Sequence, residues 1–225
     1  MNDPHPENAA GQAPDPATDW AEAAEARILG AALRIAPETG WNGRLVARAA
    51  PAAGLSAGDA ELLLPNGARD LDALAATCHL DRMFQRLEGV DPAGLKIRER
   101  IRTAVQAKVE ATVEDGPALR TQAGFYLLPP NVPLALRLFW ESADAIWRWA
   151  GDTATDENHY SKRAILAVIL ATTIAIRMES GEEAARAHLD ARIDNVMSFE
   201  RWKAGLRPAS FARDLVTALG ALRYR

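Results

Sequence analysis

The sequence predicts an all-α fold of about ten helices. Apolar residues recur at helical spacing in most segments, as in the i, i+4 series Ile97, Ile101 and Val105, and no segment alternates like a half-buried strand. Proline and glycine separate these segments, as they do between helices. The most apolar stretch, residues 164–176, is too short to cross a bilayer and has the length of a central core helix.

The predicted helices follow one another between turn residues. The first begins near Thr18, and Pro37 is expected to stop it. Gly54 separates two short helices, the second with Ser56 as its N-cap and Asp59 completing an imperfect capping box. The predicted ranges are 18–37, 42–53, 56–64, 68–88, 95–114, 117–127, 132–150, 164–176, 182–202 and 209–224.

The negative charge of the chain is concentrated at its start. The 225 residues carry 26 Lys and Arg against 30 Asp and Glu, a formal net charge of -4, yet residues 1–26 hold six carboxylates and no Lys or Arg. This start predicts a disordered acidic tail over residues 1–17, and its composition fits neither a secretory signal nor an Arg-rich transit peptide. With 48% apolar residues and the single Cys78, the chain predicts a buried core without an internal disulfide.

Residues 18–75 resemble the helix-turn-helix of TetR-type regulators, but their charge does not favour DNA binding. The second short helix carries Asp59 and Glu61 with no Arg or Lys, and residues 41–70 sum to zero. A recognition helix needs cations for phosphates and donors for base edges. We therefore expect no nucleic-acid partner, with a TetR-type ligand-responsive transcriptional regulator as the alternative.

No motif predicts catalysis or a metal site. Residues 54–58 match the nucleophile string G-x-S-x-G, but that chemistry needs a strand before the serine, and here a helix precedes it. Asp156 and His159 are one weak i, i+3 pair, whereas a di-iron bundle needs two Glu-x-x-His pairs and two further Glu. The chain is predicted to be non-enzymatic, with no cofactor.

The last segment, residues 208–225, predicts a basic amphipathic helix. Residues 201–225 carry a net charge of +5. Such a helix either lies on an anionic membrane or docks on the protein core. The candidate membrane-binding residues are Phe211, Leu215, Leu219 and Leu222 on the apolar face, with the cations Arg213 and Arg223.

A polar segment with nearby aromatic residues precedes the most apolar helix. Trp140 and Trp147 are either core residues or part of a polar and aromatic lip at the mouth of an apolar cavity. Ile165 and Ile169 are candidates for the cavity wall, and Arg163 is a candidate for binding a lipid phosphate.

Five motifs between about Ala36 and Met197 carry a family resemblance. They are Gly40-Trp41, LPNGARDL, KIRERI, LLPPN and, most specifically, D-x-N-x-Y-x-K-R-A-x-L from Asp156 to Leu166. In these motifs the chain resembles the coenzyme Q biosynthesis protein nine family, lipid-binding accessory proteins of ubiquinone biosynthesis.

The resemblance implies a TetR-like homodimer without DNA binding, with a helical lipid-binding domain over residues 76–207. It implies a pocket for an isoprenoid quinone precursor or phospholipid, contact with a di-iron demethoxyubiquinone hydroxylase, and peripheral association with the inner membrane from the bacterial cytoplasm. By motif match, Arg163 faces lipid and the partner patch holds Asp156, Asn158, His159, Tyr160 and Lys162. The chain departs from the family at Glu157 and His159, where aromatic residues are usual.

Overall fold

The residues that the structure describes form helices joined by turns and short loops. A computed structural model describes residues 16–152 and 157–205, with side chains for 19–152 and 159–194. These ranges contain no strand, which confirms the predicted all-α class, and no helix in them is long and apolar enough to span a membrane. The helices are α1 (Pro16–Thr39), α2 (Gly43–Ala52), α3 (Ala57–Leu63), α4 (Ala68–Leu87), α5 (Ile97–Val113), α6 (Pro117–Tyr126), α7 (Val132–Trp149), α8 (Glu157–Ser180) and α9 (Glu182–Gly205).

The end of α1 differs from the sequence prediction. Pro37 lies inside the helix, which continues to Thr39, because a proline near the end of a helix removes only one of the last backbone hydrogen bonds. The Thr39 hydroxyl donates to the Ile35 carbonyl at 3.1 Å. Gly40, with φ of 74°, then ends the helix by donating its N–H to the Ala36 carbonyl at 2.8 Å.

The first of two compact units combines the described residues up to Cys78 with residues 115–135. Helix α1 packs against α2 and α6, and Ile28, Leu45 and Leu71 are fully buried in this core. The predicted N-terminus of α3 is confirmed as a capping box, in which the Ser56 hydroxyl accepts from the Asp59 N–H at 3.1 Å and the Asp59 carboxylate accepts from the Ser56 N–H at 2.9 Å.

The second compact unit combines residues 79–114 with the described residues from Leu136 onward. Helices α5, α8 and α9 pack on one another. The predicted core stretch 164–176 is part of the longer α8, and Leu170 on α8 and Leu189 on α9 are fully buried. Helix α8 therefore supplies both a core face and the residues of the candidate site.

Candidate functional site

An apolar pocket of about 370 Å³ lies within the second unit, between α5, α7, α8 and α9. Ile97 and Ile165 are partly exposed at its opening, whereas Ile101, Leu166 and Ile169 are buried, so the pocket runs from the surface into the core. The aliphatic lining consists of Ile97 and Ile101 on α5, Ile165, Leu166 and Ile169 on α8, and Ile193 on α9. The i, i+4 spacings on α5 and α8 place these side chains on one face of each helix.

One edge of the pocket is polar. Arg98 forms an ion pair with Asp194, and Arg100 donates from Nε to the Leu95 carbonyl at 2.9 Å and from Nη1 to the Ala150 carbonyl at 2.8 Å. Among the described residues, Arg100 contacts no carboxylate. The guanidinium is thus held in place by neutral carbonyls and keeps its charge available to an anion or dipole at the pocket edge.

Trp147 and Lys162 form a second part of this edge. The Trp147 indole N–H donates to the Lys162 carbonyl at 3.2 Å, and the Lys162 ammonium lies 5.3 Å from the centre of the Trp147 ring. The same ammonium lies 3.0 Å from an Asp152 carboxylate oxygen. Burial opposes ionisation of Asp152, but hydrogen bonds and charges from Lys162 and Arg163 outweigh it, so the pKa of Asp152 lies below its ordinary value.

Arg163 lies elsewhere than the sequence indicated. Its side chain is 2% exposed and does not line the pocket. Nε pairs with Asp144 at 2.5 Å, while Nη1 pairs with Asp152 at 3.3 Å and donates to the His159 carbonyl at 3.2 Å. Because two carboxylates already hold the guanidinium inside the protein, the structure corrects the expectation that Arg163 meets a lipid phosphate and gives it a structural role.

The aromatic residues of the predicted lip separate into two groups. Trp147 lines the pocket, whereas Trp140 does not and instead contacts Tyr160, with ring centres 6.1 Å apart. His159 packs edge-on against the same tyrosine at 5.2 Å. Tyr160 is largely exposed. Trp140, His159 and Tyr160 therefore form an aromatic cluster at the surface, apart from the pocket lining.

The other predicted site residues lie where the structure gives no side chains. Asp156 is outside the described residues, and Asn158 lies in α8 without a described side chain. The candidate membrane residues Phe211, Arg213, Leu215, Leu219, Leu222 and Arg223 are all outside the described residues. Their assignments stay predictions.

Several pocket residues are not identified as such from the sequence, among them Ile97, Ile101 and Arg100. The two isoleucines were recognised as an amphipathic stripe, which indicates a buried face but does not distinguish a core from a cavity wall. Arg100 lies between charged neighbours in KIRERI and carried no signal of its own. The described residues hold no group of three His, Cys, Asp or Glu side chains suited to a metal ion.

Comparison with known proteins extends the family resemblance beyond single motifs. Residues 132–200 match the model of the family described as COQ9. The chain is 30% identical over 181 residues to the ubiquinone biosynthesis protein COQ9, mitochondrial, of Rattus norvegicus, covering 76% of this chain and 58% of that protein. The Homo sapiens protein of the same name is 28% identical over 181 residues (76% and 57%), and that of Xenopus tropicalis is 27% identical over 186 residues (79% and 59%). The chain thus spans less than two thirds of the length of these curated relatives.

Proposed function

Because this chain belongs to the COQ9 family, we propose that it is a non-enzymatic, lipid-binding accessory protein of ubiquinone biosynthesis. In this role it binds an isoprenoid quinone precursor or a phospholipid. It presents the bound quinone precursor to a demethoxyubiquinone hydroxylase at the membrane. The observation that carries the proposal is the apolar pocket of the second unit.

The lining of the pocket supports an aliphatic ligand. Its side wall is built of isoleucine and leucine side chains. Contact of these side chains with a hydrocarbon ligand removes apolar surface from water and is favourable, and they offer no hydrogen bonds to a polar substrate. Each buried CH₂ group contributes about 0.8 kcal/mol, so even a short length of prenyl chain would be held well. At about 370 Å³ the pocket lies near the lower end of the usual range for ligand sites, about 300–1,000 Å³. It therefore suits a ring with the first part of its chain, while the rest of a long tail leaves through the opening.

The polar edge supports a ligand with a polar head. Arg100 supplies a positive charge that no carboxylate pairs with in the described part of the chain, and Trp147 supplies an aromatic face. A quinone ring with carbonyl and methoxy oxygens, or a phosphate, offers acceptors for the guanidinium. An entirely apolar ligand would make no use of this edge.

The exposed aromatic cluster of Trp140, His159 and Tyr160 supports a protein partner, because tyrosine and tryptophan are enriched at protein interfaces. We assign the hydroxylase to this surface within the same proposal. The basic segment 208–225 is assigned to the membrane, and a homodimer completes the proposed assembly.

A transfer experiment with two tryptophan variants of α8 tests the pocket. Ile165 is 36% exposed at the opening, and Val168, three residues on and outside the lining, is 64% exposed. Ile165→Trp places an indole in the opening, whereas Val168→Trp adds the same ring to the helix surface. The protein is mixed with vesicles containing a demethoxylated polyprenyl quinone, the vesicles are removed by flotation, and the quinone left with the protein is measured.

The expected result is that wild type and Val168→Trp retain quinone, while Ile165→Trp retains at least about tenfold less. Circular dichroism and thermal unfolding of both variants check that the helices remain intact. Equal retention by all three proteins, or retention by none, contradicts the proposal.

A further inference from the structure

Positive charge exceeds negative charge among the described residues that line the pocket of the second unit. The charged lining residues are three cations, Arg98, Arg100 and Lys162, and one carboxylate, Asp152. Arg98 is neutralised by Asp194, and Asp152 is shared between Lys162 and Arg163. Within the described part of the chain, the guanidinium of Arg100 is therefore the lining charge that has no carboxylate beside it.

Main-chain groups hold the Arg100 guanidinium in place. Its Nε and Nη1 donate to the Leu95 and Ala150 carbonyls, and a guanidinium has more N–H groups than these two. Gly151 leaves room for it, because a Cβ at that position would lie 3.2 Å from Arg100 Nη1, and the φ of 87° also favours glycine. The cation is thus positioned before a ligand arrives, with donors left for that ligand.

The cationic edge and the aliphatic wall lie within the reach of one small amphiphile. Lys162 and Ile169 both line the pocket from α8, and the helical rise separates them by about 10 Å along the axis. On α5, the buried Ile101 directly follows Arg100. A ligand that fills the pocket therefore meets positive charge with one end and hydrocarbon with the other.

From this arrangement we propose that the pocket selects amphiphiles with an anionic head, and that Arg100 binds the head. A hydrogen bond from a guanidinium to a phosphate or carboxylate is about twice as strong as one between neutral groups. An anion also balances the charge of the partly buried Arg100, which a neutral head leaves unbalanced. The inference rests on the proposed function, because it ranks the ligands of the same pocket: those with a negative charge bind more tightly than neutral ones.

Two isoprenoids that differ only in the head group test this selectivity. Farnesol is neutral and farnesyl phosphate is anionic. Isothermal titration calorimetry of the full chain, below the concentration at which either compound aggregates, measures both dissociation constants. Wild type should bind farnesyl phosphate at least about tenfold more tightly than farnesol.

Equal affinities for the two compounds overturn the inference and leave the lipid-binding proposal standing. Failure of both compounds to bind also overturns it. The retention assay with the uncharged quinone decides the proposed function separately, because that assay changes neither Arg100 nor the charge of the ligand.

Substitutions assign the selectivity to Arg100. Arg100→Gln should weaken binding of farnesyl phosphate at least about tenfold and change binding of farnesol by less than about twofold. Arg100→Lys keeps the charge and should keep a preference for the anion. The matched control is Arg102→Gln, because Arg102 lies on the same helix, pairs with Asp190 at 2.6 Å and does not line the pocket. This control should bind both compounds like wild type.

The ratio of the two affinities separates anion binding from a purely structural role of Arg100. Thermal unfolding followed by circular dichroism checks that each variant is folded. A folded Arg100→Gln that loses both compounds equally, or that keeps the wild-type preference for farnesyl phosphate, overturns the assignment of the head group to Arg100.

Two further titrations identify the source of the anion, which is either a prenyl phosphate or a phospholipid. Oleoyl lysophosphatidic acid joins a phosphate to an acyl tail. Tighter binding of this compound than of farnesyl phosphate supports the proposal with a phospholipid as the source, and the reverse order supports it with a prenyl phosphate. Inorganic phosphate should not displace farnesyl phosphate, because it lacks the tail that the aliphatic wall buries. Displacement by an equal concentration of inorganic phosphate overturns the requirement for an amphiphile.

Discussion

Replacement of Arg163 by methionine should destabilise the protein without changing the lipid site. The guanidinium is 2% exposed and pairs with Asp144 and Asp152, both of which are mostly buried. Removing one partner of a buried ion pair costs about 3–5 kcal/mol. Here each carboxylate keeps a second cation, because Arg148 lies 2.6 Å from Asp144 and Lys162 lies 3.0 Å from Asp152. We therefore expect the loss of unfolding free energy to fall at the lower end of this range, about 3 kcal/mol.

Arg148→Met is the matched control for this variant. Arg148 pairs with the same Asp144 carboxylate, but its side chain is 74% exposed, and an exposed ion pair contributes at most about 1 kcal/mol. Urea unfolding followed by circular dichroism measures the unfolding free energies of both variants and wild type. If the unfolding free energy of Arg163→Met lies within about 1 kcal/mol of the wild-type value but the variant loses bound lipid, the guanidinium contributes to ligand binding. That result refutes the structural assignment of Arg163.

Two further predictions concern the first unit. Burial raises the pKa of Asp72 from its ordinary 3.8 to about 6, against the lowering effect of hydrogen bonds from Gln122 and Tyr126. The folded state therefore binds the Asp72 proton more tightly than the unfolded state does. Protonation of Asp72 stabilises the fold by about 3 kcal/mol; this contribution is complete below pH about 4 and is lost as the pH rises through about 6. Asp72→Asn should remove that loss. The test is to measure the unfolding free energies of variant and wild type across this pH range and to compare their difference at each pH. Parallel curves of unfolding free energy against pH would contradict the prediction. Ser56→Ala removes the α3 cap and should lower the unfolding free energy by about 1 kcal/mol, while Ser180→Ala, a serine at the C-terminal end of α8, should change it little; equal effects of the two would argue against the cap.

Local sequence signals predicted most of the helical order because they act over a few residues. Ser56 and Asp59 are three positions apart, so their capping box depends on local geometry and is confirmed. Pro37 was read by its usual effect on helices, but the Thr39 hydroxyl and Gly40 complete the last turn of α1 beyond it. The two 3₁₀ turns, at Pro92–Gly94 and Pro129–Asn131, had no separate signal in the sequence.

The candidate site was harder to predict because its contacts join distant residues. Lys162 and Arg163 are adjacent in sequence, but successive helical residues point about 100° apart. Lys162 therefore lines the pocket, while Arg163 reaches Asp144 on α7, 19 positions earlier. Likewise, the spacing of Ile97 and Val105 predicts one apolar stripe. Only the packing of α8 and α9 places Ile97 at the pocket opening and Val105 in the core.

The central claim is that the pocket of the second unit holds lipid, and native mass spectrometry of the purified full chain tests it most directly. We predict a mass addition that matches an isoprenoid quinone precursor or a phospholipid on wild type and on Val168→Trp, and its loss from Ile165→Trp. A wild-type protein that carries no lipid after gentle purification and takes up none from vesicles would contradict the claim.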